Sequence, residues 1–286
     1  MNWANNMEYL KTKMDSIYAS YFSCREENQC PCFKACAESV RNKTSQDLNA
    51  IMKNGHSFFA NRNARIGANY GLPGIPKIVF IGKESTSSSS ATQDPVSFRE
   101  QKNQHYRRTR ATLAALLGIT DKIDEKNQET YSFTLPGSKN IYELHTLFAL
   151  TNHNHCAFKK TEKVHGVPTT DIMWYNCTRV VKAELDILKP DIIVIQSGWS
   201  TKRHAEEYIK EYFPNTFQVV PDDSDCAGLY WLENLHTQVR ECCIIGSYHP
   251  SFHCWHQEEK YLNPLNERIK KARVWFDSKN RSFSDL

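Results

Sequence analysis

The residues best suited to chemistry in this 286-residue chain stand where apolar runs end. Glu84 follows such a run, and so do Asn152 and His249. A carboxylate can stabilise developing positive charge and orient a water, and an imidazole can donate a hydrogen bond to a departing group. Glu84 suits the first task and His249 the second. The amide of Asn152 carries both a donor and an acceptor, which suits the recognition of a ligand edge that offers both.

The apolar runs themselves predict the strands that position these residues. Continuous apolar runs at 77–82, 144–150, 190–196 and 242–247 are typical of buried parallel strands, and residues 217–220 predict a further strand. Helical segments are predicted at 104–117, 170–188, 201–212 and 258–275. We therefore expect an α/β fold with a central, mostly parallel four-stranded sheet flanked by helices. Ligands of such sheets bind beyond the carboxyl ends of the strands, where the three polar residues stand.

The N-terminal part of the chain has a different pattern. Apolar residues recur at helical spacing from Met7 to Ile17, and a cysteine-rich stretch follows from Cys24 to Cys36. Residues 1–70 are expected to form a helical, cysteine-rich extension packed on the core. Residues 71–286 are expected to form the catalytic domain.

Charge and composition narrow the class of partner. The net charge of +4 is mild, but basic runs at 106–110 and 268–273 could meet phosphates, and the first contains Arg107, Arg108 and Arg110. No window is apolar enough to span a membrane, and the N-terminus lacks the layout of a signal peptide. We expect a soluble, cytoplasmic monomer whose basic runs could bind a phosphate-bearing partner.

Three strand endings, taken in order, resemble the motifs of the uracil-DNA glycosylase superfamily. They are Gly82-Lys83-Glu84, Thr151-Asn152 and His249-Pro250-Ser251, and the run from Leu188 to Val194 resembles the family's Leu-x-Pro-x-Ile-Ile-Val strand. The resemblance covers roughly residues 76–256 and implies the uracil-DNA glycosylase fold. One departure stands out: the iron-sulfur branch of the family has Gly-Glu-x-Pro-Gly at the first motif, whereas Lys83 takes the place of Glu here and Ser85-Thr86 replaces Pro-Gly.

The resemblance also implies a role for each site residue. Glu84 would activate the water, His249 would assist departure of the base, and Asn152 and Gly82 would bind the base. Phe98 would be the aromatic platform under the flipped base, with Tyr106 as an alternative. Ser251, Phe252 and Trp255 would contact DNA, the two aromatic residues as wedges in the base stack.

The ten cysteines predict a metal site, because clustered thiols in an intracellular protein more often bind metal than form disulfides. The chain resembles the iron-sulfur branch, known as family 4, in offering N-terminal cysteines, Cys156 just after the Thr-Asn strand, and Cys177 at the start of a helix. Cys32 and Cys36 are the favoured N-terminal pair, with Cys24 and Cys30 as rivals. Thiolates suit a 4Fe-4S cluster, and they also suit tetrahedral zinc.

The sequence thus predicts a DNA glycosylase that releases uracil or a modified pyrimidine. Two alternatives stay open. The altered first motif and the serine-rich loop after it could reshape the pocket for a modified base other than uracil, for example a modified cytosine. The chain could also be a non-catalytic DNA-binding or damage-sensing protein of the same fold.

Overall fold

The computed structural model describes most of the chain. The described backbone covers residues 3–21, 32, 35–36, 38–39, 58–60, 64–84, 104–125, 132–134, 139–158, 171–196, 230–236, 241–250 and 253–284. The side chains of Glu84 and Cys156 are not among those described. Cys24, Cys30, Phe98, Ser251 and Phe252 lie outside the described residues, as do the helix predicted at 201–212 and the strand predicted at 217–220.

The chain divides into two compact units, and the segments that form them alternate along the sequence. The first comprises Met1–Ala64, Lys83–Thr92 and Thr151–Ile187, and the second comprises Arg65–Gly82, Gln93–Leu150 and Leu188–Leu286. The boundary we predicted near residue 70 lies close to the division at Ala64. The two later segments of the first unit belong to the region that we predicted to be catalytic.

A mostly parallel sheet is the central element of the fold. Its strands are β2 (Arg65–Ile66), β3 (Ile78–Glu84), β6 (Phe148–Asn154), β8 (Ile192–Gln196), β9 (Tyr230–His236) and β10 (Glu241–Gly246), in the order β2-β6-β3-β8-β10-β9. β3 and β10 both pair with β8 in parallel, whereas β2 pairs antiparallel with β6 and β9 antiparallel with β10. The predicted α/β fold with a mostly parallel sheet is confirmed, and the described residues contribute six strands to that sheet where we predicted four.

Two helices cover one face of this sheet in the second unit. They are α2 (Gln104–Leu116) and α4 (Asn263–Ser284), and they pack with Phe80, Val194 and Ile245 in one apolar core. Because side chains alternate along a strand, the residues two positions further along β3 and β8, Gly82 and Gln196, fall on the same face. The face of the sheet that forms the apolar core therefore ends in the polar side chain of Gln196, at the carboxyl ends of the strands.

The helix α2 is followed by a glycine in the left-handed backbone conformation, which ends the helix. Gly118 has a φ of +71°, a backbone conformation that L side chains rarely adopt, and a Cβ there would lie 2.8 Å from Nη2 of Arg273. The remaining described elements of the second unit are the antiparallel pair β4 (Ser132–Thr134) and β5 (Ile141–Glu143), 3-10 turns at Leu144–Thr146 and His253–His256, and a π-helical turn at Glu258–Leu262 that leads into α4.

The first unit contains α1 (Trp3–Tyr21), most of α3 (Asp171–Leu188) and the antiparallel pair β1 (Phe58–Ala60) and β7 (Cys156–Phe158). α1 buries Met7, Leu10 and Met14, which confirms its predicted amphipathic pattern. Across the described helices, none is long and apolar enough to cross a membrane.

Candidate active site and cysteine cluster

His249 lies in the loop that follows β10, at the carboxyl edge of the parallel strands. Its half-buried ring stacks on the ring of His105, with the centroids 4.9 Å apart and the planes at 30°. His105 belongs to the first turn of α2. Burial, and to a smaller extent the neighbouring His249, lower the pKa of His105 to about 3, so His105 is neutral at physiological pH. His249 therefore rests on an uncharged aromatic surface.

Two buried side chains hold the backbone of the His249 loop. Arg108 is fully buried and donates a hydrogen bond from Nη1 to the carbonyl of Pro250 and another from Nε to Glu125, at 2.8 Å. Trp255 donates from Nε1 to the carbonyl of His249 at 3.1 Å, and the Arg108 guanidinium lies 5.2 Å from the centre of the Trp255 ring. Because consecutive carbonyls of the loop are held by buried donors, the position of the imidazole is set before any ligand arrives.

Three of the residues that we predicted to contact DNA are buried, which corrects those predictions. Trp255 is 1 % exposed and packs against Tyr261 in the core, so it is not a wedge at the surface. Arg108 and Arg110 are buried as well, at 0 % and 9 % exposed, because both lie on α2 where it packs into the core. Of the three predicted arginines only Arg107, with a side chain 42 % exposed, faces solvent substantially.

A second polar group lies at the end of β8, next to the same helix α2. Gln196 is fully buried, and its Oε1 accepts a hydrogen bond from the hydroxyl of Thr109 at 3.2 Å. The same hydroxyl lies 2.9 Å from the carbonyl of His105, one helical turn earlier in α2. Ser247 donates from its backbone N–H to the carbonyl of Ile195 at 2.8 Å, which extends the parallel pairing toward His249. The first turns of α2 thus contact both strand ends.

The other predicted site residues are placed less completely. Glu84 is the last residue of β3, and Gly82 is buried in that strand opposite Gln196. Asn152 is half-buried within β6, between the buried Thr151 and His153. β6 therefore continues past the Thr-Asn pair at which we predicted that it would end.

The predicted cysteine ligands come together in part within the first unit. Cys32 and Cys36 lie one turn apart, since the backbone N–H of Cys36 donates to the carbonyl of Cys32 at 2.9 Å. Both face α3: Arg179 donates to Sγ of Cys32 at 3.4 Å and Asn176 to Sγ of Cys36 at 3.5 Å. Cys177, next to Asn176, is buried at 2 % exposed. Cys156 opens β7, where it pairs with Ala60.

The donor set of these cysteines fits an iron-sulfur cluster. Thiolates are the ligands that such clusters take, and N–H donors to sulfur, like those of Arg179 and Asn176 to Cys32 and Cys36, are compatible with ligating thiolates. Within the described side chains, no three or more His, Cys, Asp or Glu residues form a group that could hold one metal ion. Each cysteine of a four-iron cluster binds its own iron, so the thiols need not meet at one point as they do around zinc.

A buried polar network lies in the same unit. The carboxylate of Glu184, fully buried, accepts hydrogen bonds from the hydroxyls of Tyr18 and Thr151, the latter at 2.7 Å, and Nε2 of His155 is 3.4 Å away. Tyr18 also accepts from the backbone N–H of Ala64. Burial and the neighbouring Glu184 charge raise the pKa of Tyr18, so its hydroxyl stays protonated and donates. The network ties α1 to β6 and α3.

His105 and Gln196 are site residues that the sequence interpretation missed. Gln196 left a signal, because it is the single polar residue at the end of the apolar run Ile192–Gln196. His105 left a weaker one, since it stands in the first turn of a predicted helix with no motif around it. No family model and no curated protein sequence matches the chain.

Proposed function

We propose that the protein is a DNA glycosylase of the uracil-DNA glycosylase type, which hydrolyses the N-glycosidic bond of uracil or a modified pyrimidine. The observation that carries the proposal is the imidazole of His249, held at the carboxyl edge of a parallel sheet by Arg108 and Trp255 and stacked on a neutral His105. A pre-positioned donor at that edge is what the departure of a base requires.

The chemistry follows from where charge develops. As the bond between the sugar C1′ and the base nitrogen breaks, its electron pair moves to the base and positive charge builds on the sugar. His249 donates a hydrogen bond to the base oxygen that becomes negative. Glu84 stabilises the sugar cation and orients the attacking water, whose oxygen bonds to C1′ while its proton passes to the carboxylate and finally to the released base. The roles of Glu84 and Asn152, which reads the base edge, rest on the resemblance of their motifs.

Cys32, Cys36, Cys156 and Cys177 would hold a 4Fe-4S cluster. Such a cluster, when bound, supplies a covalent link between segments that are distant in sequence. The DNA partner is supported by Arg107, which is exposed in the basic run, and by the exposed lysines of α4, such as Lys270 and Lys271. We expect the protein to act as a monomer.

A base-release assay tests the proposal. Single-turnover release is measured on single-stranded and duplex oligonucleotides that carry uracil, and then on those that carry modified cytosines. Glu84→Gln keeps the size of the side chain but removes its charge, so release is expected to fall by a factor on the order of a hundred or more, with DNA affinity retained. His249→Ala is expected to slow the same step, because the departing base loses its donor.

The outcomes separate the readings of the site. A parent protein that binds DNA and releases no base from any substrate refutes the enzyme and favours a damage-sensing protein. Release of modified cytosine and not of uracil moves the substrate to another base within the same chemistry. A Glu84→Gln protein that works at the parental rate shows that the first motif is misaligned.

A further inference from the structure

The amide nitrogen of Gln196 is a buried donor that the described part of the fold leaves unpaired. Its Oε1 accepts from Thr109, but Nε2 is buried and, as far as the described part of the chain extends, has no hydrogen-bond partner. A buried donor left unpaired costs on the order of 1–3 kcal/mol of stability. An apolar side chain at the end of β8 would avoid that cost, so the amide calls for an explanation outside the packing of the core.

The position of Gln196 indicates what it could contact. It lies opposite Gly82 of β3, so the neighbouring strand has no side chain at the paired position. Through the hydroxyl of Thr109 it adjoins the first turn of α2, and His105 in that turn stacks on His249. Gln196 and His249 therefore contact adjacent parts of one helix, at the edge where ligands of parallel sheets bind.

We propose that Gln196 is a specificity-determining residue, whose amide nitrogen donates a hydrogen bond to an acceptor on the base that His249 helps to release. This assignment rests on the proposed glycosylase activity. The acceptor is a carbonyl oxygen or a ring nitrogen, since an amide N–H pairs with either. The donor that is unpaired in the protein alone becomes paired when a base with an acceptor at that position binds.

The expected preference between bases follows from the difference in free energy between a buried donor that is paired and one that is not. A site that holds an unpaired buried donor discriminates against a base that cannot satisfy it, whereas an apolar site tolerates both. The preference for the base with the acceptor is expected to be on the order of 10- to 100-fold. It should vanish when the amide is removed.

The test pairs one substitution in the protein with one atom of the substrate. Gln196→Leu removes the amide and keeps most of the volume, and Gln257→Leu makes the same change at an exposed position. Single-turnover release is measured on oligonucleotides carrying uracil, 2-thiouracil and 4-thiouracil, because sulfur is the weaker acceptor. For a parent that prefers a modified cytosine, that base is compared with its 2-thio and 3-deaza analogues.

The parent and Gln257→Leu are expected to prefer the natural base over one of its analogues by about tenfold or more, and Gln196→Leu is expected to lose that preference. Its thermal midpoint should not fall, because an unpaired polar group gives way to an apolar one. Unchanged discrimination in Gln196→Leu overturns the assignment, as does a lower midpoint with all substrates slowed equally, since both leave Gln196 as an anchor for Thr109. A parent that releases no base refutes the proposed activity itself, and this assignment with it.

Discussion

Replacing Arg108 by Met tests how the His249 loop is held. Arg108 and Arg107 are consecutive on α2 and both approach the carboxylate of Glu125, so one is a matched control for the other. The Arg108 side chain is 0 % exposed and lies 2.8 Å from Glu125, whereas the Arg107 side chain is 42 % exposed and lies 3.6 Å away. The two substitutions remove the same charge from very different surroundings.

The structure sets the expected difference. Arg108→Met leaves the carbonyl of Pro250 without its buried donor and the partly buried Glu125 without its main partner, which should cost about 3 kcal/mol of unfolding free energy. Arg107→Met removes a solvent-screened pair and should cost less than about 1 kcal/mol. By contrast, Arg107→Met should weaken DNA binding and reduce its dependence on salt concentration, because its exposed guanidinium can neutralise a phosphate.

Urea unfolding followed by tryptophan fluorescence measures the first effect, and DNA titrations at several salt concentrations measure the second. Amide hydrogen exchange adds a local readout, since the segment from His249 to His256 should exchange faster in Arg108→Met than in Arg107→Met. Equal losses of stability in the two variants would refute the reasoning. So would an Arg108→Met protein whose loop exchanges at the parental rate.

Three further predictions address His105, Tyr18 and Cys177. The pKa of His105 is about 3 when folded and 6.5 when unfolded, so the unfolded chain takes up the proton first and stability is lost as pH falls below about 6.5. At ~1.4 kcal/mol per pH unit, His105→Phe should remove about 2 kcal/mol of the loss between pH 7 and 5 in urea unfolding, while Thr109→Val should leave that loss unchanged. Tyr18→Phe deprives Glu184 and the Ala64 N–H of a hydrogen-bond partner and should cost about 2 kcal/mol of unfolding free energy in the same measurement. Tyr9→Phe, at an exposed position, is the control and should cost almost nothing. Equal losses in the two variants would contradict the network. Protein purified without oxygen should be brown and contain iron and sulfide, and Cys177→Ser should lose both the colour and much of the stability, whereas a colourless parent with stoichiometric zinc would contradict the cluster.

The elements predicted best from the sequence are those whose pattern has one physical cause. The strands β3, β8 and β10 are continuous apolar runs because both of their faces are buried, and each lies within about two residues of its predicted bounds. The strands β2 and β9 were missed. β2 has two residues, too few for any periodicity, and β9 alternates poorly in Tyr230–His236 and is defined by its antiparallel pairing with β10.

The site shows where a sequence pattern misleads. Arg107, Arg108 and Arg110 look like one basic surface, but consecutive helical residues point in directions about 100° apart, so they cannot all face the same way. All residues from Arg108 to Leu116 are buried, so Arg108 and Arg110 both lie in the part of α2 that is enclosed by the fold, whereas Arg107 precedes it. That enclosure depends on tertiary packing and has no signal in the basic run itself.

Contacts between segments distant in the chain are what the sequence could not provide. The pairing of His105 with His249 and of Thr109 with Gln196 depends on how α2 lies against two strands that follow it much later. Trp255 was predicted at the surface because it follows the His-Pro-Ser motif, but its indole folds back to the carbonyl of His249. Only the tertiary structure shows that hydrogen bond.

The strand order has a consequence for synthesis of the chain. β3 and β8 are neighbours in the sheet although they are far apart in the chain. The hydrogen bond at the start of their pairing, from the backbone N–H of Lys77 to the carboxylate of Asp191, spans 114 residues. β10, which covers the other edge of β8, is translated about fifty residues later still. A ribosome-bound chain therefore carries β3 without its parallel partner β8 for many seconds at typical elongation rates. The parallel pairing of β3, β8 and β10 can be completed only after most of the chain has emerged, and we expect these apolar strands to be prone to aggregation during that interval.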